Sequence, residues 1–178
     1  QGPDSEIFVT ARAGLIDLGD SASSDLLRVV NSPAHKARRE CALLLSEMGN
    51  PRVVPALISM VSDDPEDRQL AFELAVLTCY DARDSEDPGE RWTTWYGEVT
   101  HDDSLSWLLA AMERRGIPIS VAASFRGSGP GTREGALLML EVLSGEEDFL
   151  IERARRELSR MLGGDLGELP RSEADQGV

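Results

Sequence analysis

Several stretches of this chain carry residue types that could do chemistry. His101-Asp102-Asp103 sets an imidazole beside two carboxylates, a donor set that can hold a metal if a further nitrogen or sulfur joins it. The other histidine, His35, lies in a different part of the pattern, and carboxylates at a helix start answer the helix dipole, so capping is the expected role. His35 and Cys41 resemble a base and a nucleophile, but a spacing of six is off-register for one helix face and no third group orients the base. Gly127-Ser128-Gly129-Pro130-Gly131-Thr132 precedes a helix, where a phosphate cradle would lie. It lacks the Gly-Lys-Ser/Thr ending and follows no strand, which makes it a flexible connector. No catalytic residue, cofactor site or metal site is expected.

Two further sets suggest binding. Trp92, Trp95 and Tyr96 fall at spacings of three and four, so the rings share one helix face. They either receive a partner's side chain or dock their own helix onto the core; docking is the preferred reading, because a short helix needs such anchors. Acidic residues gather at turns: Asp63, Asp64, Glu66 and Asp67, then Asp81, Asp84, Glu86 and Asp87, then Glu146, Glu147 and Asp148. Their basic counterpart is Arg153, Arg155, Arg156 and Arg160 on the wide polar side of the last helix, as suits a terminal helix with no further neighbour.

The charge balance points the same way. A net charge of −14 repels phosphate backbones and anionic membrane surfaces, so neither nucleic acid nor membrane is an expected partner. A protein or peptide with a basic binding region is. No apolar run is long enough to span a bilayer. Cys41 and Cys79, both inside apolar helical runs, are expected to be free thiols. The chain opens Gln1-Gly2-Pro3, which resembles the junction left by a viral cysteine-protease tag-removal site. A cytoplasmic location is favoured, with export left open upstream of that junction.

The elements that must position these residues are helices. Apolar periodicity predicts them over 5–18, 24–30, 33–48, 51–61, 66–80, 105–115, 132–144 and 147–162, with a short inserted helix over 88–98. They repeat. Arg39-x-x-Ala42-x-x-Leu45-x-x-Met48 matches Arg68-x-x-Ala71-x-x-Leu74-x-x-Leu77 at an offset of 29. Weaker copies begin at Arg12 and Arg133. The spacing of three keeps the apolar side chains on one stripe, and the small Ala lets two helices approach closely. Internal repetition is the strongest signal in the chain.

The run Met48-Gly49-Asn50-Pro51-Arg52-Val53-Val54-Pro55-Ala56-Leu57, after Arg39-x-x-Ala42, resembles a HEAT repeat of the bacterial type. There the turn usually reads Gly-Asp-Pro-Arg before a Val-Pro-Ala-Leu helix, and here Asn50 stands for the Asp. The resemblance covers about 30–80, weakens over 5–30 and 130–162, and does not reach the tail. It implies an all-α fold, an α-α superhelix (HEAT-like solenoid) of about four helix pairs with an inserted short helix. One domain over 1–162 and a disordered tail over 163–178 follow.

The implied function is a non-catalytic scaffold that binds a protein or peptide on its concave helices. The polar stripe Arg52, Pro55, Ser59, Ser62 and the stripe Asp103, Ser106, Ala110, Glu113 are expected side by side on that face. Arg52, Ser59, Ser106 and Glu113 are its candidate residues, with Trp92 and Trp95 as the alternative surface. Some HEAT-like bacterial proteins are chromophore lyases or lyase subunits, which stands as the alternative function. Others are DNA glycosylases, which would need a basic groove. A regulatory segment of a longer protein is the third possibility.

Overall fold

The structure is a computed structural model and describes residues 14–15, 19–99, 104–116 and 133–162. The chain divides into two compact units, residues 1–117 and 118–178, where the sequence reading places one domain over 1–162. In the first unit the helices are α1 (Asp20–Val30), α2 (Arg38–Glu47), α3 (Val54–Asp63), α4 (Arg68–Thr78), α5 (Pro88–Val99) and α6 (Ser104–Glu113). A single 3-10 turn, Pro51–Val53, leads into α3. The second unit contributes α7 (Arg133–Leu143) and α8 (Asp148–Leu162). Among the described residues the fold is all-helical, with no strand. Of the helix expected over 5–18, only Gly14 and Leu15 are described, both helical; the tail over 163–178 lies outside the described residues.

The α2–α3 turn shows why the sequence folds as it does here. Gly49 takes φ 74°, a conformation open to a residue without Cβ. The Gly49 amide then bonds to Ser46 O at 2.8 Å and the Asn50 amide to Leu45 O at 2.9 Å, which closes α2. Asn50 next accepts the Arg52 amide on its side chain at 3.1 Å, opening the following turn. Asp67 and Asp87 do the same for α4 and α5, accepting from Leu70 N at 3.1 Å and Glu90 N at 2.8 Å.

α2 begins five residues later than Pro33 suggests. Ser32 to Ala37 form successive turns, with the His35 and Arg38 amides bonded to Ser32 O and His35 O. The His35 ring accepts the Ala37 amide at 3.1 Å, so a side chain takes up a donor near the start of the helix.

The repeat of 29 has a physical counterpart. α2 and α4 lie side by side and parallel, joined at two levels. At the start, Arg39 Nε and Nη2 reach the two oxygens of Asp67 at 2.8 and 3.1 Å, and Nη2 reaches Gln69 at 2.9 Å. Further along, Ser46 Oγ donates to the Glu73 carbonyl at 3.2 Å or its carboxylate at 3.1 Å. Alongside these ties Ala42, Leu45, Ala71 and Leu74 are buried, as a shared apolar stripe requires.

In the second unit α7 and α8 pack as a hairpin that buries Leu138, Met139 and Val142 with Phe149, Leu150, Ala154 and Leu158. Along α8 runs a set of largely half-buried ion pairs: Arg155 and Arg156 both reach Glu152, at 2.8 and 2.6 Å, and Arg160 reaches Glu157 at 2.7 Å. Arg153, expected on the solvent side with the others, is instead buried and paired with Glu157 at 2.9 Å. Burial raises the Glu152 pKa, and the hydrogen bonds from Arg155 and Arg156 outweigh it, leaving the carboxyl below its ordinary value.

Candidate binding surface

α3 presents the first expected stripe. Ser59 on α3 and Arg52, in the 3-10 turn that leads into it, are both exposed. On α6, Glu113 is exposed and Ser106 is half-buried, seven apart. The two stripes are not neighbours in the way the sequence suggests. α3 packs against α5, while α6 packs against α4. The helix expected as an insertion over 88–98 is present as α5, and it takes the place beside α3. Local periodicity carries no information about which helix follows which in a stack, so the pairing was invisible to it.

Gly89 explains how α5 gets so close. A Cβ at this position would lie 2.9 Å from Ser62 Cβ and 3.0 Å from Ser62 Cα, on top of the hydroxyl. The Ser62 hydroxyl is itself turned back to Ile58 O at 2.9 Å. The first turn of α5 therefore rests directly on the last turn of α3. One consequence is electrostatic: the turn with Asp63, Asp64 and Glu66 and the turn with Glu86 and Asp87 meet at one end of α3. All five carboxylates are exposed.

Beside this junction lies an open depression of about 610 Å³, lined by Ser85, Glu86, Asp87, Glu90, Arg91 and Thr94. Three carboxylates against one guanidinium make its lining net negative. The loop that forms its wall is pinned upstream, where Arg83 pairs with Asp81 at 2.8 Å and lies 5.4 Å from the centre of the Phe72 ring. The sequence shows these acids as a turn; the hollow they line depends on the tertiary contact at Gly89, which periodicity does not show.

Trp92 and Trp95 are not part of any exposed surface. Trp92 is fully buried and donates its indole N–H to Tyr80 O at 3.2 Å. Trp95 stacks on Tyr80 with ring centres 5.2 Å apart and meets Trp107 edge-on at 5.4 Å. The rings anchor α5 to the end of α4 and to α6, so they are withdrawn as partner-binding residues. Tyr96, half-buried, tilts against Trp95 at 6.4 Å.

His101, Asp102, Asp103 and the segment 127–132 lie outside the described residues. Among the described residues no group of three or more His, Cys, Asp or Glu side chains is placed to hold a metal ion. Cys41 and Cys79 are in no disulfide. Burial and the nearby Glu40 charge push the Cys41 thiol up, away from the reactive thiolate. No helix among the described residues is long and apolar enough to cross a membrane. Compared with known proteins, the chain matches no family, no curated protein and no solved structure.

Proposed function

We propose that this chain is a HEAT-type helical-repeat scaffold that binds a basic segment of a protein partner and catalyses nothing itself. The observation that carries the reading is the acidic junction of α3 and α5, where two turns distant in sequence meet beside a net-negative hollow. The clamp between α2 and α4 at the repeat spacing supports the HEAT-type assignment. The binding face is then α3 with α5, and it runs from Arg52 and Ser59 to Glu86 and Glu90. Ser106 and Glu113, on α6, fall outside it.

Short exposed side chains such as Ser59, Thr93 and Thr94 leave room for a guest backbone. Clustered carboxylates speed the encounter with a cationic segment and weaken their hold as salt rises. The test begins with affinity capture from the native cell and continues with purified components. The partner's binding region should be net positive, and its affinity should fall with added salt. Glu86→Lys with Glu90→Lys should weaken it by about tenfold or more, with the helical signal unchanged. Unaltered affinity in that variant and in Arg52→Glu with Ser59→Glu would remove this face from consideration.

A further inference from the structure

The second unit has an uncovered side. On α7, Leu137 and Leu140 are 54% and 55% exposed, and with Leu162 they are the large hydrophobic side chains most open to solvent among the described residues. Leu137 and Leu140 lie three apart, and Glu141 and Ser144, both exposed, continue the same face by one turn. This face points away from the stripe of Leu138, Met139 and Val142 that α7 buries.

The outer face of α7 thus sets two leucines beside a glutamate and a serine, an apolar strip with an acidic edge of the kind a helix presents to another helix.

We infer that the outer face of α7 docks an amphipathic helix of a protein partner, one whose apolar stripe is flanked by Lys or Arg. The apolar stripe takes the two leucines. The basic flanks answer Glu141 on the same face and the exposed Glu146 and Glu147 at the turn beyond it. A second copy of this chain fits badly, because it would bring the same carboxylates together on a molecule of net charge −14. This proposal does not rest on the α3–α5 reading.

The probe is a synthetic helix-forming peptide of about 18 residues, Leu on one face and Lys on its flanks, titrated into the full chain by fluorescence anisotropy. Three comparisons decide the matter. Leu137→Ser with Leu140→Ser should weaken binding by about tenfold or more, because both anchors are lost. The α3–α5 variant Glu86→Lys with Glu90→Lys should bind as the parent does, which separates this proposal from the one above. A peptide with Glu in place of Lys should fail to bind.

Equal affinity for the leucine variant overturns the proposal, as does equal binding of the acidic peptide. A dimer of the parent chain in sedimentation that the leucine variant turns into a monomer overturns it in favour of a second copy. A clear fall in the melting temperature of the leucine variant without peptide also overturns it, since the chain itself would then be covering the face.

Discussion

Replacing Asp67 should separate two roles held by one carboxylate. Its Oδ1 caps α4 at Leu70 N, and both oxygens grip Arg39 of α2. Loss of an N-cap costs about 1 kcal/mol. The ion pair is partly exposed, with 38% of the Arg39 side chain and 15% of the Asp67 side chain open to solvent, so it contributes about 0.5–1 kcal/mol. Arg39 also reaches Gln69 and Glu40, so removing Asp67 strands no buried charge. Asp67→Ala should therefore cost about 1.5–2 kcal/mol, and Asp67→Asn, which keeps a capping oxygen, about 0.5–1 kcal/mol.

Thermal melts of the two variants, with Arg39→Ala and the double Arg39→Ala/Asp67→Ala, give both terms. For a unit near 100 residues the alanine variant should melt roughly 5–10 °C below the parent. The cycle should leave a coupling of about 0.5–1 kcal/mol between the two residues. Zero coupling would mean that the clamp contributes nothing to stability. Equal loss in Asp67→Ala and Asp67→Asn would mean that the cap contributes nothing. The same carboxyl sets a pH dependence. The hydrogen bond from Arg39, together with that from the Leu70 amide, holds Asp67 below its ordinary value against the opposing effect of burial. Its stabilisation is thus complete above about pH 4 and is lost as pH falls through the lower folded-state value. In Asp67→Asn that part of the acid-side slope should vanish.

Other substitutions test the packing. Ala42→Leu or Ala71→Leu should overpack the contact between repeats and cost about 1–3 kcal/mol by denaturant unfolding; an unchanged midpoint would put these residues outside the core. Gly89→Ala should lower the melting temperature despite the better helix propensity of alanine, because the new methyl meets Ser62 Cα and Cβ. If that variant melts higher than the parent, α5 does not rest on α3 as described. Conversion of Arg52 and Ser59 to Glu should leave circular dichroism unchanged and, if their face carries the contact, tighten a basic partner's hold through the added negative charge; unchanged affinity would place the contact elsewhere.

The helical class was legible because the spacing of three and the offset of 29 are written in the order of residues. Arg39 and Arg68 mark the repeat before any coordinate is known, and Gly49-Asn50-Pro51 marks the tight turn. The start of α2 was not legible, because Ser32-Pro33 opens turns as readily as helices and the His35 ring decided between them. The partner of α3 was hidden for a different reason. Whether α5 or α6 lies beside it depends on a close approach at Gly89, a tertiary contact between residues 27 positions apart. The hollow at Glu86 and Glu90 follows from that contact, so it too lay beyond periodicity.

The burial of the indoles has a consequence for how this molecule can be watched. All three tryptophans of the chain, Trp92, Trp95 and Trp107, sit in one cluster where α4, α5 and α6 meet. Intrinsic emission is therefore a local gauge, sensitive to the opening of that junction and dark to α7 and α8. Circular dichroism at 222 nm, by contrast, averages over every helix. Where the two compact units unfold independently, the two signals will trace different transitions in one sample, and a single midpoint will describe neither. Coincident curves would mean that loss of the indole cluster and loss of the hairpin beyond it are one event.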